Sequence, residues 1–179
     1  MLAFGPQMKS ADYLATNPMG EVPVPEHGEA IFTEVAACRA YLASTFPERR
    51  LSPAPGTVEI TAYHRWMLFA AGPCETAPTN VSLGLHVPDS PQAQGRSGYG
   101  LLQSVIDTLR GILGDGRDYI TGNSFSRADV YLGSPIQWGV KFGCMTLASE
   151  NGEYLYRLTS RPAAIRARAL DDALLSSQD

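Results

Sequence analysis

The stretch Glu21–Glu34 limits what this chain can become more than any other. It reads EVPVPEHGEAIFTE, the apolar–turn–apolar pattern of a β-hairpin with its turn at His27-Gly28. Yet Pro23 and Pro25 both stand in its first arm. Proline has no N–H to give to a ladder, so it is confined to strand edges, first residues and bulges. The first arm, Glu21–Val24, is therefore either an edge strand or one whose backbone faces something other than a neighbouring strand. The second arm, Glu29–Phe32, leads into Thr33, read as the cap of a helix that Pro47 ends.

Before the hairpin, residues 9–15 suit one or two helical turns, with Ser10 as N-cap. After Pro47 the pattern changes. Residues 49–56 are polar and rich in Pro and Gly, a linker composition. From Thr57 onward the periodicity is helical. Ile60, Tyr63, Met67 and Ala70 share one face, Gly72-Pro73 interrupts, and a second piece runs to Leu83. Residues 84–98 read as a surface loop. Leu101, Leu102, Val105, Leu109, Ile112 and Leu113 mark an amphipathic helix.

The run FSRADV then announces another helix. Ser126 is its N-cap, and the Asp129 carboxylate at N3 can reach back to the N-cap N–H, a variant of the capping box. Pro135 should bend this helix or cost it a hydrogen bond. A last helix starts near Ser160 and ends near Leu174 or Leu175. The fold class is α+β: a small α/β part over residues 1–48, a linker over 49–56, and an all-helical part of about five helices over 57–179.

Charge and cysteine usage narrow the function. The net charge is −4 and no basic run exceeds two residues, which argues against nucleic acid or an anionic membrane as partner. Cys38, Cys74 and Cys144 are odd in number and form no CxxC, which suits free thiols in a reducing, cytoplasmic setting. No basic, apolar leader opens the chain, and no apolar run is long enough to span a membrane. His27, His64 and His86 are scattered without metal-ligand spacing, so no metal and no bound cofactor is expected.

Four stretches, YLATNPMGEVPV, AIFTEVAACRAYLASTFP, YHRWMLFAAGP and YITGNSFSRADVYLGS, resemble the glutathione transferase family, most of all its bacterial cytosolic members. The resemblance implies a thioredoxin-like part followed by a helical-bundle domain, a homodimer, and conjugation of glutathione, as co-substrate, to small electrophiles. It implies that the Val22-Pro23 bond is cis and that the Val22 backbone pairs with the cysteinyl part of glutathione. It implies that Glu34 and its successor, at a helix N-terminus, hold the γ-glutamyl carboxylate. The family has serine after this acidic residue; here it is Val35, which removes a hydroxyl donor.

Tyr63, Trp66 and Phe69 are candidates to line the electrophile pocket, with core and interface packing as the competing role. Ser126 and Asp129 serve folding in the family too. The family's first strand, first helix and second strand are not among these residues, and its catalytic Ser, Tyr or Cys sits there. The thioredoxin-like part is thus expected to be truncated, the catalytic assignment is empty, and conjugation is expected to be impaired. The alternative is a non-catalytic dimerisation or binding module.

Overall fold

The computed structural model describes residues 5–146 and 149–176. The chain divides into two compact units, Met1–Ser52 and Pro53–Asp179. In the first, a 3₁₀ turn at Pro6–Lys9 leads into helix α1 (Ala11–Thr16), whose N-cap Ser10 accepts from the Tyr13 N–H at 3.3 Å. A hairpin of β1 (Glu26–His27) and β2 (Ala30–Ile31) follows, then α2 (Val35–Thr45) and a 3₁₀ turn at Pro47–Arg49. Met8, Asn17, Gly20, Cys38 and Ala43 are its buried residues among those described.

Two expectations need correction here. The paired part of the hairpin is not Glu21–Val24 with Glu29–Phe32. It is Glu26–His27 against Ala30–Ile31, in antiparallel register Glu26–Ile31 and His27–Ala30. The prolines explain the shift: pairing begins only after the last residue without an N–H. Pro25 still joins with its carbonyl, which accepts from the Phe32 N–H at 3.2 Å. The N-cap of α2 is Glu34, not Thr33, because Glu34 takes the non-helical conformation that turns the chain into the helix (φ 67°, ψ 116°).

The second unit is helical. It comprises α3 (Val58–Phe69), a π-helical turn at Ala70–Cys74, α4 (Glu75–Ser82), α5 (Pro91–Arg96), α6 (Leu102–Leu113), α7 (Arg127–Lys141), α8 (Ser149–Thr159) and α9 (Pro162–Ser176). Pro73 lies inside the π turn, where a wider loop of backbone accommodates a residue that cannot donate. Residues 84–98 are not all loop. Ser90 accepts from the Ala93 N–H at 3.2 Å and Pro91 stands at N1, so capping and a preset φ start the short helix α5. Helix α8 was not anticipated either, and the count of helices after the linker exceeds five.

The core of this unit is set by α7. Its face Ala128, Leu132 and Ile136 is buried, as are Val105, Leu109 and Leu113 of α6 and Tyr154, Leu155 and Leu158 of α8. Gly133 lets α8 come close: a Cβ there would sit 2.5 Å from Leu158 Cδ1. The helix runs on through Pro135.

At the head of α7 Asp129 is fully buried and its carboxylate collects four donors. The Ser126 N–H and Oγ reach Oδ2 at 2.7 and 2.9 Å, while the Ile120 N–H and Tyr154 hydroxyl reach Oδ1 at 2.7 and 3.0 Å. So the carboxylate does more than close a box on its own helix. It also binds the preceding loop and α8. Burial pushes the Asp129 carboxyl above its usual range, with these donors pulling the other way, and burial pushes the Tyr154 phenol up as well.

Candidate functional site

The site implied by Val22, Pro23, Glu34 and Val35 lies wholly in the first unit, on the hairpin and its two exits. The approach to it is held by side chains that sequence reasoning passed over. Asn17, 3 % exposed, donates through Nδ2 to the Glu21 carbonyl at 2.7 Å and accepts from the Met19 N–H at 3.1 Å. The Tyr13 hydroxyl donates to the same Glu21 carbonyl at 2.6 Å. Lys9 Nζ donates to the Met19 and Gly20 carbonyls at 2.9 and 3.0 Å. The signal was available: an Asn-Pro-x-Gly turn with a tyrosine four residues before it.

These contacts deliver Val22 to the surface, 46 % exposed, with its peptide bond to Pro23 cis. Among the described residues neither the N–H nor the carbonyl of Val22 takes a hydrogen bond. Gly20 is required just before it. It sits at φ 63°, and a Cβ there would lie 2.7 Å from the Met8 carbonyl oxygen.

At the far exit Glu34 occupies a positive φ that non-glycine residues seldom adopt, a conformation that costs on the order of 1–3 kcal/mol. Its side chain is exposed and makes no cap bond to the first turn of α2. The first-turn N–H groups of a helix have no partner within the helix and carry its positive dipole end. Val35, half-buried, adds no donor. The arrangement offers an extended backbone edge and a helix N-terminus, which together suit a short peptide-like ligand bearing a carboxylate.

The aromatic candidates of α3 lie in the second unit. Tyr63 and Trp66 are each 2 % exposed and Phe69 is half-buried, its ring edge-on to Trp66 at 5.3 Å. Cys38 and Cys74 are poor nucleophile candidates. Burial pushes the Cys74 thiol up to about 12, and it also raises that of Cys38. Among the described residues no group of His, Cys, Asp and Glu is placed to hold a metal ion, and no helix is long and apolar enough to cross a membrane.

No protein-family model matches the chain. A curated relative, the glutathione S-transferase GST-4.5 of Xanthomonas campestris pv. campestris, is 30 % identical over 151 residues, spanning 76 % of this chain and 68 % of the relative. The crystal structure of a glutathione transferase from Methylococcus capsulatus str. Bath superposes with a TM-score of 0.73 at 29 % identity, over 92 % of this chain and 80 % of that one. A sphingomonad glutathione S-transferase, solved in complex with glutathione, superposes with a TM-score of 0.65 at 27 % identity, over 89 % and 78 %. The chain belongs to the glutathione S-transferase family, and its hairpin with α2 and its helical unit are the thioredoxin-like and all-α parts of that fold.

Proposed function

We propose that this protein binds glutathione through its first unit, with the cysteinyl backbone on the Val22 N–H and carbonyl and the γ-glutamyl carboxylate at the N-terminus of α2 beside Glu34 and Val35. The observation that carries the reading is the uncapped N-terminus of α2, entered through Glu34 at positive φ, in a chain whose sphingomonad relative is solved with glutathione. The reaction class is conjugation in a reducing cytoplasm. The glutathione thiolate attacks an electrophilic carbon, a new C–S bond forms, and the leaving group departs with its electron pair. The candidates for the electrophile pocket are Tyr63, Trp66 and Phe69 of α3, of which Phe69 alone is half-buried and the other two are buried.

Conjugation needs a donor that stabilises the thiolate near neutral pH. None of Val22, Pro23, Glu34 and Val35 carries a hydroxyl or thiol. We therefore expect the 179-residue chain to bind glutathione weakly and turn it over slowly. Binding without turnover is the signature of the second reading, a non-catalytic binding module. Restoring a hydroxyl with Val35→Ser should tighten binding about tenfold or more, since a hydrogen bond to a charged group contributes roughly 1.5–3 kcal/mol. Titration calorimetry with glutathione and a conjugation assay with an aryl halide check both statements. Rapid turnover by the wild-type chain would mean that another residue activates the thiol. Failure of wild type and Val35→Ser alike to bind would remove the site.

We also propose a homodimer formed through α2 and α3. Helix α3 leaves Val58 85 % and Leu68 69 % exposed, two large apolar side chains that a partner subunit would cover. Tyr41 of α2 does not belong to that surface, because its ring and hydroxyl are turned to the hairpin. Sedimentation velocity at micromolar concentration should give twice the chain mass, and a clean monomer would dismiss the interface.

A further inference from the structure

We propose that His27 and Tyr41 are positioning residues for the glutathione site: their hydrogen bond ties the hairpin to α2 and so sets Val22 and Glu34 in place for one ligand. The inference rests on the glutathione reading above. The hairpin is poorly secured by itself. Each strand is two residues long, and all four are exposed. A pair this short has little stability of its own. Val22 is held from one side, by the contacts that α1 makes to Glu21. Glu34 is held from the other side, by α2, through a backbone conformation that survives only where its surroundings impose it.

The tie between the two sides is aromatic and polar. The Tyr41 ring packs on Phe32 with centroids 4.5 Å apart, and its hydroxyl meets His27 Nδ1 at 2.8 Å. The His27 ring also lies 5.9 Å from that of Phe46, at the C-cap of α2. One side chain of α2 thus holds both arms of the hairpin: β1 through His27, and the residue after β2 through Phe32. Two ligand-binding segments that must act together gain affinity when their relative placement is set before the ligand arrives.

The test is glutathione affinity by titration calorimetry, run beside urea unfolding, on wild type, Tyr41→Phe, His27→Leu, the double variant and His27→Asn. Tyr41→Phe keeps the ring on Phe32 and removes only the hydroxyl. We expect Tyr41→Phe and His27→Leu each to weaken binding about threefold to tenfold. The double variant should be no worse than either single one, because both remove the same bond. His27→Asn, which keeps a polar atom near the position of Nδ1, should recover affinity, and the unfolding midpoint should stay put. Unchanged affinity in Tyr41→Phe, or affinity losses that only follow the unfolding midpoint, would overturn the proposal.

Should wild type bind no glutathione, the ligand reading fails by itself. Amide hydrogen exchange then decides the tie. Faster exchange at the Phe32 N–H in Tyr41→Phe supports it, and unchanged exchange overturns it.

Discussion

Asp129→Ala is expected to lose about 3–5 kcal/mol of stability, because it leaves two buried backbone N–H groups and two hydroxyls without their acceptor. The carboxylate is the acceptor for two backbone N–H groups and two hydroxyls, from the Ile120 loop, the head of α7 and α8. The hydroxyls can rotate toward other acceptors, but the backbone donors cannot, and a buried donor left unmet costs about 1–3 kcal/mol. Total stabilities of small proteins are about 5–15 kcal/mol, so this single change consumes a large share.

Asp129→Asn is the sharper comparison. It keeps the volume but turns an NH₂ toward at least one pair of donors, and it should still cost about 2 kcal/mol. Ser126→Ala should cost about 1 kcal/mol and add little to Asp129→Ala, since its hydroxyl donates to the same carboxylate. Urea denaturation of the set checks the order. Wild-type stability in Asp129→Asn would show that the four contacts contribute shape alone.

Trp66→Ala is expected to cost about 3–5 kcal/mol, the range for emptying a large aromatic site in a packed core. Trp66 is 2 % exposed on the inner face of α3, which it shares with Tyr63 and Met67. Its ring meets Phe69 edge-on and lies 4.7 Å from the Arg65 guanidinium carbon. This prediction separates the two roles the sequence left open for the aromatic group. A pocket wall would lose electrophile affinity with little change in stability. A core residue would lose stability whether or not a ligand is present. We expect the unfolding midpoint to fall steeply, and a midpoint within a few degrees of wild type would return Trp66 to the pocket.

Some elements were legible because their causes are local. Ser10 before ADYLAT, the periodic apolar residues of α6, and Ser126 with Asp129 three residues on all act within one or two turns of chain. Errors fell where a neighbour in sequence was a poor guide. The hairpin pairs only beyond Pro25, so the apolar–turn–apolar pattern from Glu21 pointed to the wrong strand bounds. Thr33 is a good cap by residue type, yet Glu34 takes the position because its backbone makes the turn. Ser90-Pro91 was a legible helix start, hidden inside a stretch whose other residues suit a loop.

The residues alone locate the helices other than α5 and α8, the proline-bearing arm before a hairpin, and the fold family the chain resembles. Propensity, capping and turn chemistry are short-range and are written residue by residue. The sequence could not determine what each polar group finally meets. Asp129 was readable as a cap of α7, but its bonds to Ile120 and Tyr154, nine and 25 residues away, exist only because the loop and α8 close over it. Nothing near Tyr41 in sequence names its partners His27 and Phe32, which come from a hairpin that folds back along α2. The physical reason is the same for both. A buried or braced polar group is satisfied by whatever the packing brings within hydrogen-bond reach, and packing is a property of the assembled chain.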